Sequence, residues 1–296
     1  MKILILGSKG MLGSECCNVL GQEYEMISPD RKELDIRSWD MVIESLHRIS
    51  PKIIINCAGF TDVDACEKED FLVRKINIEG PRNLAQGSAR FNCKLIHISS
   101  DYVFNGQKTV PQPYFEDDAT APLSAYGRSK LESEIAVKEN APNYIILRTG
   151  WLYGRHRKNF VRSFLANVFD KKGKAVKIVN DQFGSPTWAY RLALQIKTML
   201  EGDALGTYHV TTEGYCSRLE FARHILDRLR IDVDLEPCSM KDCSQSAKRP
   251  VNCILENRRA KKQGLNVMTD WQEDLDAFLE KFGGDLIEEA KGNRAS

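Results

Sequence analysis

The chain has 296 residues, 42% of them hydrophobic and 28% charged, enough for one large domain or two ordinary ones around a sizeable core. Its 42 basic and 41 acidic residues leave a formal charge of +1, which argues against a partner held by bulk charge, whether nucleic acid or anionic membrane. No apolar run approaches the ~20 residues that span a bilayer, so a cytoplasmic protein with no membrane partner is expected.

In chain order, the first element is a short apolar strand, Lys2–Leu6, which runs into glycines and is too short for the apolar region of a signal peptide. An amphipathic helix over 11–20 follows, then a strand at Glu25–Ile27, a helix over 38–49, a strand at Lys52–Asn56 and a helix over 67–91. Lys94–Ile98 is the fourth strand and Tyr144–Arg148 the fifth, with a helix over 126–140 between them. In that helix Leu131, Ile135 and Val137 are read as the buried face. Strands this short and rich in Ile and Leu are buried on both faces, and their alternation with helices implies right-handed βαβ units and a parallel sheet. The second half is less regular. Strands are expected at Val176–Val179 and Thr207–Val210, helices near 160–170, 188–200, 217–230 and 271–283, a loop over Pro237–Pro250, and a frayed polar end at Lys291–Ser296. The nine cysteines (16, 17, 57, 66, 93, 216, 238, 243 and 253) lack metal-finger spacing, so free thiols are expected.

Gly7, Gly10 and Gly13 follow the first strand and open the first helix. Gly7 permits a tight turn, Gly10 lets a pyrophosphate approach the main chain, and Gly13 lets helix pack on strand. The helix N-terminus then offers free N–H groups to phosphates. The spacing is G-x-x-G-x-x-G, a variant of the usual dinucleotide fingerprint. Asp30 stands where an acid meets the adenosine ribose, but Arg31 and Lys32 beside it suit a 2′-phosphate. NADPH is favoured and NADH stays open.

Tyr126 and Lys130 are four apart, hence on one helix face, where an ammonium is expected to draw the phenol pKa from ~10 toward neutrality and make it a general acid or base. Ser100, at the carboxyl end of the fourth strand, can polarise a substrate carbonyl, with Ser99 as its rival.

Together these motifs resemble the extended short-chain dehydrogenase/reductase superfamily and, within it, the dTDP-4-dehydrorhamnose reductase family. The resemblance rests on Asn56–Glu67, Ser99–Phe104, Tyr126–Lys130, Arg148–Gly154, Asn180–Thr187, Arg249-Pro250 and Trp271, and spans nearly the whole chain. It implies an α/β protein with a Rossmann-type doubly wound parallel sheet over residues 1–150, extended by about 175–210, and a smaller, discontinuous C-terminal substrate domain mainly over 151–296. Tyr126 would protonate the reduced C4 oxygen, Lys130 would tune it and hold the nicotinamide ribose, and Ser100 stands where the family has threonine. Gly10, Met11 and Leu12 would line the pyrophosphate; Asp30, Arg31, Asp35 and Ile36 would meet the adenosine end; Gly59, Phe60 and Thr61 would line the cleft beyond the third strand. Ser100, Asp101, Trp151, Asn159, Gln182 and Arg249 would contact the sugar nucleotide, the Trp151 indole covering an apolar deoxyhexose face. No acidic cluster compels a metal, so none is expected as a requirement, with Mg2+ left open, as is a homodimer. The implied reaction is NAD(P)H-dependent reduction of a dTDP-linked 4-keto-6-deoxyhexose to dTDP-L-rhamnose. Other nucleotide-sugar reductases or epimerases of the superfamily are alternatives, as is a non-catalytic regulatory subunit resembling the β subunit of methionine adenosyltransferase.

Overall fold

The computed structural model describes residues 1–171, 173–242 and 246–292. Its first half alternates β1 (Lys2–Leu6), α1 (Met11–Leu20), β2 (Glu25–Ile27), α2 (Trp39–Ile49) and β3 (Ile53–Asn56). The helix expected over 67–91 is broken. After α3 (Val63–Cys66) come α4 (Asp70–Val73), a π-helical stretch at Arg74–Glu79 and α5 (Gly80–Arg90). Next are β4 (Lys94–Ser100), α6 (Ala125–Asn140) and β5 (Tyr144–Thr149); β4 continues past Ile98, so Ser100 is its last residue. The second half contains β6 (Leu152–Tyr153), α7 (Phe160–Asp170), β7 (Val176–Val179), β8 (Phe183–Gly184), β9 (Thr187–Trp188), α8 (Ala189–Glu201) and β10 (Gly206–His209). It closes with β11 (Cys216–Ser217), α9 (Arg218–Leu229), β12 (Leu235–Cys238), β13 (Asn252–Cys253), α10 (Arg258–Lys262) and α11 (Trp271–Gly292).

Six strands pair in parallel in the order β10-β5-β4-β3-β1-β2, a doubly wound Rossmann-like sheet. The chain adds β2 on one side of β1 and then crosses to β3 on the other. The order therefore reverses between β1 and β3, which opens a crevice at their carboxyl ends. Strand alternation divides the core between the two faces. Ile3, Ile5, Ile53 and Ile55 pack with Cys16 of α1 and Leu192 and Ile196 of α8. Leu4, Leu6 and Ile54 pack with Val42 and Leu46 of α2 and Leu84 of α5.

A second core gathers Tyr153, Phe164, Phe221, Trp271 and Phe278 among α7, α9 and α11. β7 belongs here, pairing with β12, whereas α8 and β10 join the large sheet, so the stretch 175–210 is divided between the two cores. Leu286 and Ala290 prolong the buried stripe of α11, which is why the helix runs past residue 283. The segment Pro237–Pro250, expected as loop, holds the end of β12 and a tight turn at Met240–Asp242.

α6 departs from its expected face. Ile135 is 45% exposed, while Ser129, Lys130, Ser133 and Glu134 are buried beside Ala136 and Val137. The helix buries polar groups because β4 and β5 supply partners: Glu134 accepts from Ser99 at 2.6 Å and from Arg148 Nε and Nη2 at 2.9 and 2.8 Å. Paired in this way, they avoid the cost of bare desolvation. Cys16, Cys17, Cys57, Cys66, Cys93, Cys216 and Cys253 are free thiols; Cys243 and residues 293–296 of the polar end lie outside the described residues. Among the described residues, no helix is long and apolar enough to cross a membrane.

Candidate active site

The crevice at the strand ends is a cleft of about 890 Å3. Gly7, Gly10, Met11, Leu12, Asp30, Arg31, Asp35, Ile36, Gly59, Thr61, Ser100, Asp101, Tyr126, Lys130 and Trp151 line it; Gly13, Phe60, Asn159, Gln182 and Arg249 do not.

β1 ends into a turn that only glycine can make. Gly7 has φ +77°, and a Cβ there would lie 2.7 Å from Ala58 N. A Cβ on Gly13 would sit 2.1 Å from Gly7 O, so this glycine serves the close packing of α1 on the turn rather than the cleft surface. Gly10 caps α1 with no side-chain bond, and the first turn holds no acidic residue. The leading N–H groups of α1 thus keep their donors and the positive end of the helix dipole.

At the far end of β2, Asp30 Oδ1 accepts from the backbone N–H of Lys32 and Glu33. These bonds, helped by Lys9, hold its carboxyl below the usual range. Asp35 is pinned by Arg37, which holds its carboxyl at about 2. Both acids are thus bound up locally, while Lys9 and Arg31 stay largely exposed. Beyond β3, Asn77 grips the Gly59–Thr61 loop by accepting from Phe60 N and donating to Phe60 O, and it also donates to Ser129 of α6. Asn77 lies in the π-helical stretch, a distortion that no sequence periodicity announced.

The two serines at the end of β4 separate cleanly. Ser99 is committed to Glu134. Ser100 Oγ donates to Asp101 Oδ1 at 2.7 Å, and its oxygen accepts from Tyr102 N. The Tyr126 phenol lies within hydrogen-bonding reach of Ser100. Its acidity runs against the sequence expectation. Burial pushes the phenol pKa up, with the Asp101 charge adding to the rise, so Tyr126 is held as the neutral phenol. The Lys130 ammonium, which was expected to lower it, is itself brought down to about 8 by burial and donates to the Ile98 carbonyl at 2.5 Å. Burial also lifts Asp101 to about 6.

At the sugar end, Trp151 has φ +50°, a strained value for a bulky residue. Its indole does not present a bare face. The Arg218 guanidinium stacks on it 3.4 Å from the ring centroid, and Gly184 closes against Cε2 and Nε1. Arg218 lines the cleft and was not singled out from sequence; nothing local marks an arginine that opens a helix as a cleft residue. Asn159 instead caps α7 and ties Gly154 O, Gln182 bonds Pro250 O, and Arg249 pairs with Asp64 at 2.6 Å. Among the described residues, no group of three or more His, Cys, Asp or Glu side chains is placed to hold a metal.

Residues 1–283 match the RmlD substrate binding domain family. The chain is 34% identical over 281 residues to the spore coat polysaccharide biosynthesis protein SpsK of Bacillus subtilis, covering 95% of this chain and 97% of that protein. It is 34% identical over 288 residues to a dTDP-4-dehydrorhamnose reductase of Aggregatibacter actinomycetemcomitans, covering 93% of this chain and 97% of that protein. Among solved structures, a dTDP-4-dehydrorhamnose reductase from Bacillus anthracis in complex with NADP matches with a TM-score of 0.90 at 37% identity, covering 95% of this chain and 99% of that one.

Proposed function

The chain belongs to the RmlD substrate binding domain family, and from that premise we propose that it reduces the C4 ketone of dTDP-4-dehydro-L-rhamnose to dTDP-L-rhamnose with NAD(P)H. The observation that carries the reading is the meeting of Tyr126, Lys130 and Ser100 in the same cleft as the glycine turn.

The residues present fit a dinucleotide. The missing Cβ at Gly7 and the uncapped first turn of α1 suit a diphosphate. When bound, the reduced nicotinamide supplies the hydride. The chain supplies the rest. When substrate binds, Ser100 Oγ turns its single proton from Asp101 Oδ1 to the ketone oxygen and eases the charge growing there. Tyr126 delivers its phenolic proton to that oxygen, and a phenol kept neutral is in the correct form to do so. Lys130, whose ammonium lies in the cleft, stabilises the phenolate left behind. Holding the nucleotide fixes the ketone against its reactants. We assign NADPH as the preferred cofactor, because Lys9 and Arg31 offer exposed cations while Asp30 is engaged by its own turn. Arg31→Ala is then expected to cut the preference for NADPH over NADH about tenfold. The proposal includes a cytoplasmic location.

The test follows absorbance at 340 nm with purified protein, NADPH or NADH, and dTDP-4-dehydro-L-rhamnose made in situ from dTDP-glucose. Loss of reduced cofactor with formation of dTDP-L-rhamnose is expected. No oxidation by a folded protein that still binds cofactor would overturn the reading and turn attention to other keto sugars and to a regulatory role.

A further inference from the structure

Arg218 opens α9 at the sugar end of the cleft, with its guanidinium plane set by the Trp151 ring. Its Nε reaches Gln182 Oε1 at a long 3.4 Å, and among the described residues neither Nη group has a hydrogen-bond acceptor. Asp101 faces the same end of the cleft. Its Oδ1 is taken by Ser100, whereas the buried Oδ2 has no nitrogen or oxygen partner. The fold makes room for that carboxylate: a Cβ on Gly150 would lie 2.4 Å from Oδ2. Leaving a carboxylate oxygen out of water without a strong donor is costly, whereas the part-buried Arg218 keeps its Nη groups at the cleft wall, open to a ligand. The two Nη groups and a carboxylate whose remaining neighbour is the weak thiol donor of Cys253, set together next to Ser100, match a ligand that brings its own hydroxyls.

We propose that Arg218 determines specificity by donating its two Nη groups to oxygen substituents of the hexose ring beside the reacting carbon, while Asp101 Oδ2 accepts from a ring hydroxyl. The inference rests on the sugar-nucleotide reading above. The hexose, not the diphosphate, is the group concerned, because Asp101 directly follows Ser100, where the ketone must lie. A planar fork of donors suits two adjacent oxygens and discriminates against a ring deoxygenated at those carbons. Arg218 thus occupies the indole face that an apolar sugar face would otherwise cover, and the pocket reads oxygens there.

Calorimetric titration of the full chain, saturated with NADP+, with dTDP-L-rhamnose and separately with dTDP tests this. The parent is expected to bind the sugar nucleotide more tightly than dTDP. Arg218→Met should lose that gain by about tenfold, the order contributed by a hydrogen bond from a charged donor. Its affinity for dTDP and NADP+ should stay within about twofold, which also shows that it folds. Arg218→Lys, which keeps the charge but not the fork, should recover part of the gain. Unchanged binding of dTDP-L-rhamnose by Arg218→Met would overturn the proposal, as would an equal loss for dTDP. Turnover by the parent is scored separately. Turnover with no effect of Arg218 removes this inference alone, whereas Arg218-dependent sugar binding without turnover removes the reductase and leaves the recognition standing.

Discussion

Lys130 Nζ donates to the carbonyl of Ile98 at 2.5 Å, tying the helix that carries Tyr126 to the strand that ends in Ser100. The ammonium therefore works first as a brace between α6 and β4, the elements that carry Tyr126 and Ser100. In the proposed reaction it would also favour the phenolate once a proton has left.

Tyr126→Phe removes the proposed proton donor and leaves the ring. Turnover should fall by about 10²–10⁴ with cofactor binding nearly unchanged. Lys130→Met should lower both, because it also loosens α6 from β4. Steady-state kinetics with cofactor titration by fluorescence separates the two, and a Phe variant within a fewfold of the parent would contradict the assignment.

Asp101 gives a pH signature in stability. Its carboxyl rises from an ordinary 3.8 to about 6 in the fold because burial penalises the charged form. Below about pH 4 both folded and unfolded chains are protonated there, and no penalty exists. Above about pH 6 the folded chain must hold the charge, so this contribution to stability is lost as pH rises through that window. Asp101→Asn should accordingly be more stable than the parent at pH 7.5, by up to about 3 kcal/mol, with the gap shrinking toward pH 4.5. Urea unfolding at the two pH values measures it, and a gap independent of pH would refute the cause.

Glu134 and Arg148 form a bidentate pair with side chains 0% and 4% exposed. Arg148→Met leaves a buried carboxylate without its main partner and should cost about 3–5 kcal/mol in denaturant unfolding. The double variant Glu134→Leu with Arg148→Met should be more stable than Arg148→Met alone, since no uncompensated charge remains. A double variant weaker than the single would refute the uncompensated charge as the cause of the loss.

Two glycines should respond in opposite directions to alanine. Gly13→Ala drives a methyl group into Gly7 O, so α1 must shift off the turn and cofactor affinity should fall at least about tenfold. Gly284, exposed in α11 with open space around it, should gain up to about 1 kcal/mol from alanine through helix propensity. Thermal melts with and without NADPH report both.

Local pattern carried much of this protein into view. Ile53–Asn56 announced a strand buried on both faces because every residue is apolar until the last, and Gly7 announced the turn because no other residue tolerates its backbone. Tyr126 and Lys130 were legible because helical spacing alone puts them on one face. What escaped required partners distant in sequence. The buried face of α6 is polar, and only the arrival of Arg148 and Ser99 makes that tolerable. The π-helical stretch that aims Asn77 at Phe60 has no periodic signal.

The chain by itself determined the parallel sheet, the glycine turn and the pairing of Tyr126 with Lys130 on one helix face, because each rests on residues a few positions apart whose geometry the backbone dictates. Tertiary structure decided how deeply Tyr126 is buried and what stands against Trp151. Burial, a property of the assembled walls, pushes the Tyr126 phenol pKa up, and the docking of α9 on the β5–β6 loop lays Arg218 over Trp151 from 67 residues away. Desolvation and long-range stacking depend on which surfaces meet, and no local window of sequence contains that information.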